Sequence, residues 1–294
     1  AHRFTVAEQL ELSGSTNHTI ILEPIARNTA VAVAVATLHA IKEYPDDDPE
    51  LLVMPSDHVI KDIAGFKETI VNARQISNTG ALVCLGVTPT SAHTGYGYIK
   101  CGTRLTAASN TYAIDSFVEK PNLEKATEYL RSGEYLWNSG MLLFKASAMI
   151  SELEIFAPEI LESARKAVAG SIDDLDFCRL STEALESCPS MSIDYAVMEH
   201  TTRGAIVPLE AGWNDIGSWE AVWDVSETDA QGNACKGNVY LQDTCNSLVL
   251  SEKRLVTMIG VKDLVVVETR DSILITDRVH SEKVKGLVED LNSM

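Results

Sequence analysis

Long apolar runs are missing from this 294-residue sequence. Its longest, from Thr29 to Ala40, is alanine-rich and well short of the roughly 20 residues that a membrane-spanning helix needs, so a buried helix is expected there. No segment has the basic, apolar and small-residue parts of a secretory leader. Basic residues are scarce: 24 Lys and Arg stand against 42 Asp and Glu, for a net charge of -18. That balance argues against a nucleic-acid binder, which carries a basic stripe to neutralise phosphates. A small phosphorylated ligand remains compatible with it, because a few lysines and a divalent cation suffice to hold one. The six cysteines (Cys84, Cys101, Cys178, Cys188, Cys235, Cys245) include no C-x-x-C pair and no Cys/His cluster, which predicts free thiols in a reducing cytoplasm rather than a zinc site. There is also no Ser-His-Asp spacing and no G-x-S-x-G elbow, so nucleophilic hydrolase chemistry has no carrier.

What is present is an alternation of short apolar runs and amphipathic stretches. Phe4, Val6 and Ala7 read as a short strand. A helix is predicted from about Asn28 to Tyr44, a strand at Leu51–Met54, a helix from Gly65 to Asn78 and a strand from Ala81 to Val87. Further strands are expected at 113–119, 140–145 and 205–209, with helices at 122–132, 146–156, 158–169 and 192–200. Such alternation predicts an α/β fold: a Rossmann-like, mostly parallel sheet flanked by helices on both faces. After Trp223 short β-rich runs separated by polar turns take over, with a terminal helix from Ser281 to Leu291. Two domains are expected, 1–228 and a β-rich 229–294.

In open parallel sheets ligands bind beyond the carboxyl ends of strands. Asp57 stands there, a hard oxygen donor suited to Mg²⁺ or, equally, a cap for the next helix. Asp215 lies in Gly212-Trp213-Asn214-Asp215-Ile216-Gly217-Ser218-Trp219, which reads as a ligand loop with rigid indole walls or as a packed turn with an Asp cap. Phe117-Val118-Glu119-Lys120-Pro121 ends a strand on a charge pair, either solvated or offered to a phosphate and sugar hydroxyls. The turn at Thr94–Tyr98 exposes backbone to a sugar or simply bends a hairpin. Asn138 has donor and acceptor for hydroxyls, or serves a helix–strand connection. His58 is read as a structural histidine rather than as an orienter of Asp57.

Seven segments in order resemble the bacterial mannose-1-phosphate guanylyltransferases of the sugar-nucleotide pyrophosphorylase family. They are Glu23-Pro24 with Arg27-Asn28-Thr29-Ala30, Met54-Pro55-Ser56-Asp57-His58, Gly95-Tyr96-Gly97-Tyr98-Ile99, Phe117–Pro121, Trp137–Met141, Ser192–Ala196 and Trp213–Trp219. The resemblance implies a GT-A-like nucleotidyltransferase fold with a left-handed β-helix appendage, and a Mg²⁺-dependent reaction of GTP with mannose 1-phosphate giving GDP-mannose and pyrophosphate. It implies that Asp57 and Asp215 share the metal and that Lys120 holds the sugar phosphate. It also implies that Glu119, Asn138 and the backbone near Gly97 face the sugar, with Arg27, Asn28 and Thr29 near the base. Asp194 is assigned near the sugar phosphate or Lys120, and the appendage to a homodimer contact. Other sugars or bases, and a non-catalytic sugar-nucleotide-binding fragment, stay open as alternatives. The family's glycine-rich loop, of the type LSGGxGTRLWPLSR, has no counterpart: the chain opens at Ala1-His2-Arg3-Phe4. An N-terminally truncated chain with impaired triphosphate binding is therefore expected. The isomerase domain of some relatives, with its clustered histidines, is expected to be missing as well.

Overall fold

The computed structural model describes residues 2–105, 110–174 and 177–293. They form two compact units: Ala1–Pro55 with Ile63–Ala211, and Ser56–Asp62 with Gly212–Met294. The predicted boundary at 228/229 falls inside the second unit.

Elements are numbered along the whole chain. In the first unit the helices are α1 (Arg3–Leu12), α2 (Thr29–Glu43), α3 (Ile63–Ser77), α4 (Leu123–Ser132), α5 (Ala146–Phe156), α6 (Pro158–Ala169) and α7 (Thr182–Glu186). The strands are β1 (Ile20–Leu22), β2 (Glu50–Val53), then β3 (Val59–Ile60, which belongs to the second unit), β4 (Leu82–Val87), β5 (Tyr98–Arg104), β6 (Tyr112–Val118), β7 (Tyr135–Lys145), β8 (Ile172–Asp174), β9 (Phe177–Arg179) and β10 (Gly204–Pro208). A π-helical turn spans Asp194–Met198. The main sheet runs β2-β7-β4-β10-β6-β5, and β5 also pairs with β7. β1, β9 and β8 form a small separate sheet.

The α/β layering predicted from the alternation is present, and four of the six main-sheet strands, β2, β4, β5 and β10, run the same way, with β6 and β7 opposed. Among its described strands β4 and β10 pair in parallel, whereas β2–β7, β7–β4, β10–β6 and β6–β5 are antiparallel. A continuous apolar run reports burial on both faces and carries no information on neighbour order. β2 and β4 do run the same way and are joined through α3, as the pattern implied; β7 is inserted between them. That insertion was hidden because the first half of β7, Tyr135–Ser139, read as a connection. Its Trp137 and Ser139 are buried while Asn138 is only half-buried, so no clean apolar run marks it.

The N-terminal strand expected at Phe4–Ala7 is wrong as well. Those residues lie in α1, which buries no side chain and is unusually weakly amphipathic. Elsewhere the periodicity located elements well: α5 and α6 match their predicted bounds. α2 is capped by Asn28, whose side chain accepts the Thr29 N–H at 2.8 Å. It lays Ala30, Val31, Val33, Ala34 and Val35 into a core shared with α5, α6 and sheet residues such as Leu82, Cys84 and Phe144. α3 packs against β4, β7 and β10. Leu82, Val83, Cys84 and Leu85 are wholly buried, as a strand covered on both faces requires.

In the second unit β3 pairs antiparallel with β11 (Trp213–Asn214). After α8 (Trp219–Val225) come β12 (Ala234–Lys236), β13 (Val239–Gln242), β14 (Leu248–Ser251), β15 (Val256–Ile259), β16 (Leu264–Glu268) and β17 (Ile273–Asp277). A 3-10 turn (Arg278–Lys283) and α9 (Val284–Asn292) follow. β12, β14 and β16 stack in parallel, and β13 and β15 form a second parallel stack. Successive strands alternate between the two stacks, which is a β-helix-like coil; β17 adds antiparallel to β16 and ends it. Val249, Met258 and Val266 fill the inside with Val239, Leu241 and Val256. Ala234, Leu248, Val265 and Val267 form a second cluster with Trp219, Val222 and Trp223 of α8.

Candidate active site

In the first unit, five of the expected residues come together. Asn138 sits inside β7 opposite Gly86, not in a helix–strand connection. Its backbone N–H donates to the Gly97 carbonyl at 2.8 Å, and its Oδ1 accepts the Gly140 N–H at 3.1 Å. That bond orients the side-chain amide, so its Nδ2 donates to Asp194 Oδ1 at 3.0 Å. Gly97 is needed for close approach: a Cβ there would lie 2.5 Å from Glu119 Oε2 and 3.2 Å from the Asn138 Cβ. Glu119 follows directly on β6, and its carboxylate is only 12 % exposed. Lys120 is left-handed at φ 47°, an uncommon state for a residue with a side chain. Its Nζ lies 3.1 Å from Glu119 Oε1 while the side chain stays 64 % exposed. Pro121 then stops the strand, and Asn122 caps α4 by accepting the Lys125 N–H at 2.9 Å.

Burial, and then the Glu119 charge, push the Asp194 carboxyl up to about 6, against the pull of Asn138 and Lys120. Burial with the nearby Asp194 also drives the Cys84 thiol upward, out of reach of ordinary pH. Glu199, which the sequence reading passed over, lies near the same group: burial raises its carboxyl, and the Glu119 charge adds to the rise. Two carboxylates, Glu119 and Asp194, beside one exposed ammonium can accept hydroxyl protons and offer a single cation to a phosphate.

The segment 27–29 is built against the stretch that leads to Asp194. Arg27 Nε donates to the Leu185 carbonyl at 3.0 Å, and its Nη2 donates to the Glu186 carbonyl. Asn28 is left-handed at φ 66°. Thr29 Oγ1 accepts the Ile193 N–H at 2.9 Å, and the Ala30 N–H donates to the Met191 carbonyl at 3.1 Å.

Asp57 and Asp215 both lie in the second unit, on adjoining ends of the β3–β11 ladder. That ladder pairs Asn214 with Val59; one step further Asp215 comes level with His58, beside Asp57. Neither aspartate is a helix cap. β3 intervenes between Asp57 and α3, and α8 is capped by Ser218, which accepts the Ala221 N–H. Asp215 instead accepts the Gly217 N–H at 3.2 Å, and Asn214 accepts the Ile216 N–H at 2.7 Å. These two bonds hold Ile216 left-handed at φ 52°, a strained state for a β-branched side chain. His58 has a structural role: its Nδ1 accepts the Trp213 indole N–H at 3.1 Å, which leaves Nε2 as the protonated nitrogen of the neutral ring, 4.0 Å from Asp57 Oδ1. The Asp57 side chain is 84 % exposed. Among the described residues no three His, Cys, Asp or Glu groups gather as a closed metal cage. The exposed Asp57 carboxylate with the nearby Asp215 nevertheless fits Mg²⁺, which keeps waters and binds through one or two carboxylates plus substrate phosphates.

The sequence profile of the nucleotidyl transferase family matches residues 1–232. The chain belongs to that family. Every candidate site residue falls within that match, and residues 237–291 match the MannoseP isomerase/GMP-like beta-helix domain. It is 46% identical over 294 residues to the mannose-1-phosphate guanylyltransferase of Escherichia coli K12, covering 99% of this chain and 62% of that protein. It is 48% identical over 292 residues to the xanthan biosynthesis protein XanB of Xanthomonas campestris pv. campestris, covering 99% and 61%. A solved structure from Thermus thermophilus, described as a mannose-1-phosphate geranyltransferase, superposes with a TM-score of 0.82 at 31% identity, over 97% of this chain and 81% of that one. The chain thus spans about three fifths of the length of the curated relatives it matches.

Proposed function

We propose that the protein is a mannose-1-phosphate guanylyltransferase, which converts GTP and mannose 1-phosphate to GDP-mannose and pyrophosphate. The observation that carries this reading is the cluster of Gly97, Glu119, Lys120, Asn138 and Asp194, in a chain whose curated relatives bear that name at 46% identity. Glu119 and Asn138 bind sugar hydroxyls, Lys120 takes the sugar phosphate, and residues 27–29 stand on the side of the base. A phosphate oxygen of the sugar phosphate attacks the α-phosphorus of GTP in line; the bond to the β-phosphate oxygen breaks, and pyrophosphate leaves with that electron pair. No covalent bond to the chain forms, so the residues act by holding the reactants and countering charge. Asp57 and Asp215 hold Mg²⁺, which when bound screens phosphate charge as a Lewis acid. A cytoplasmic enzyme acting as a homodimer completes the reading.

Turnover of the full-length protein with a panel of GTP, UTP and dTTP against mannose 1-phosphate and glucose 1-phosphate tests it. The GTP and mannose 1-phosphate pair is expected to be preferred, and preference for another pair overturns the assignment. Asp57→Asn and Asp215→Asn should each lower kcat by on the order of 100-fold or more at saturating Mg²⁺ without unfolding the protein. Near-normal turnover in either variant removes the metal assignment.

A further inference from the structure

Asp215 stands just before a short helix. α8 spans seven residues, two turns that no isolated peptide of that length would keep in water. Only Ile216, Gly217 and Ser218 separate Asp215 from it, so whatever seats α8 also sets where Asp215 stands. Ile216 is left-handed at φ 52°, and such strain persists only where the surroundings over-determine it. The side chains of Asn214 and Asp215 act on it from within the loop. A further restraint comes from the far end of the coil.

Ser218 caps α8 by accepting the Ala221 N–H at 3.2 Å. A second orphan donor of the first turn, the Glu220 N–H, is taken at 3.2 Å by the Ser281 hydroxyl, 61 positions on. Ser281 is buried within the 3-10 turn Arg278–Lys283 that follows β17. From the same turn the Arg278 guanidinium lies 3.6 Å above the centre of the Trp223 ring, and its Nη2 stands 3.9 Å from Glu220 Oε1. Trp223 is itself held in place, because its indole N–H donates to the Gly232 carbonyl at 2.9 Å. Burying Arg278 to 16 % exposure is unfavourable, since its Nε and Nη1 find no acceptor among the described residues; the stack on Trp223 offsets it. Ile216 and Gly217 also line one cleft with Ser281 and Lys285, so the closing turn reaches the loop as well as the helix.

We propose that Ser281 and Arg278 are positioning residues for Asp215: the turn that closes the β-helix-like coil grips both turns of α8 and so fixes the loop that carries this carboxylate. The coil is then part of the frame of the metal site. The proposal rests on the reading of Asp215 as a Mg²⁺ ligand. A loop that holds its carboxylate in place for only a fraction of the time binds the cation more weakly by that fraction. Ser281→Ala and Arg278→Ala should therefore each raise the Mg²⁺ concentration for half-maximal turnover about fivefold. At saturating Mg²⁺ kcat should change less than about twofold. Ser281→Thr keeps the hydroxyl and should stay within about twofold of wild type on both measures.

The experiment pairs a Mg²⁺ titration of turnover in the full-length protein with hydrogen exchange in the metal-free protein. Exchange at the Ile216, Gly217 and Glu220 amides should quicken in Ser281→Ala. Faster exchange at Glu220 alone, with Mg²⁺ half-saturation unchanged, reduces Ser281 to a helix cap and overturns the proposal. If Arg278→Ala fails to fold, Arg278→Lys retains the charge without the flat stack and should still raise Mg²⁺ half-saturation. Asp215→Asn separates the two readings. If it abolishes turnover while the folded Ser281 and Arg278 variants titrate like wild type, the buttress is overturned and the metal assignment stands. Near-normal turnover in Asp215→Asn overturns the metal assignment, and the proposed roles of Ser281 and Arg278 with it.

Discussion

Asp194 shows how one residue can be placed for chemistry at a cost in stability. Its carboxyl stands at about 6 in the folded protein, above its ordinary 3.8, through burial first and Glu119 second. A raised carboxyl stabilises the fold fully below its unfolded value and loses that contribution as pH rises through the folded one. Denaturant unfolding should therefore show the first unit losing on the order of 1–3 kcal/mol between about pH 4 and pH 7. Asp194→Asn should flatten that slope, since an asparagine oxygen still accepts from Asn138; an unaltered slope would mean that another group titrates. Gly97→Ala is the complementary case. Its Cβ would strike the Glu119 carboxylate, the end of a flexible side chain, so sugar-phosphate KM should rise with a stability loss under about 1 kcal/mol. Glu119, Lys120 and Asn138 were singled out from their motifs and Asp194 through the family resemblance, and the fold brings them together around Gly97. Glu199 was not, because it lies at the end of a stretch read as an ordinary helix and only the fold brings it near Glu119.

Elements explain the larger misreadings and the coil that follows them. Strand positions and their common direction were largely legible from the apolar runs, but neighbour order was not, and β7 slipped between β2 and β4 unseen. The β-rich texture after Trp223 was plain, yet its ordering into two parallel stacks depends on corners rather than runs. Left-handed Asp243, Asn246 and Asp263 turn these corners, together with Gly237 and Gly260. Gly237, at φ 92°, leaves no room at all: a Cβ would fall 1.9 Å from the Ser251 carbonyl oxygen. Gly237→Ala should destabilise the coil by roughly 2–4 kcal/mol, measurable as a lower unfolding midpoint. Glu268, 1 % exposed, ties the same corner together. The N–H groups of Lys253, Arg254 and Glu252 and the Ser251 hydroxyl hold its carboxyl down at about 2. The sign is opposite to that of Asp194: the stabilisation is present above about pH 4.5 and lost as pH falls toward 2. Glu268→Gln should remove this acid-side loss and lower stability at neutral pH, as followed by circular dichroism across the acid-to-neutral range.

For the molecule as a whole, the second unit is discontinuous: Ser56–Asp62 belongs with Gly212–Met294. No compositional shift marks residues 56–62, which is why the predicted boundary was a single cut at 228/229. Residues 212–294 expressed alone should form the coil but leave β11 without β3 and the Trp213 indole without His58. Amide and indole exchange at 213–217 should then be fast, and slow exchange there would show that β3 is dispensable. The same ladder joins residues 155 positions apart, as between Trp213 and His58. At about 5–20 residues per second of synthesis, His58 waits roughly 8–30 s on the ribosome for the indole that will hold it. Throughout that interval Asp57 projects from a nascent chain in which Asp215 has not yet been made. The β3–β11 ladder is therefore a late product of translation, and a chain released early carries only one of its two strands.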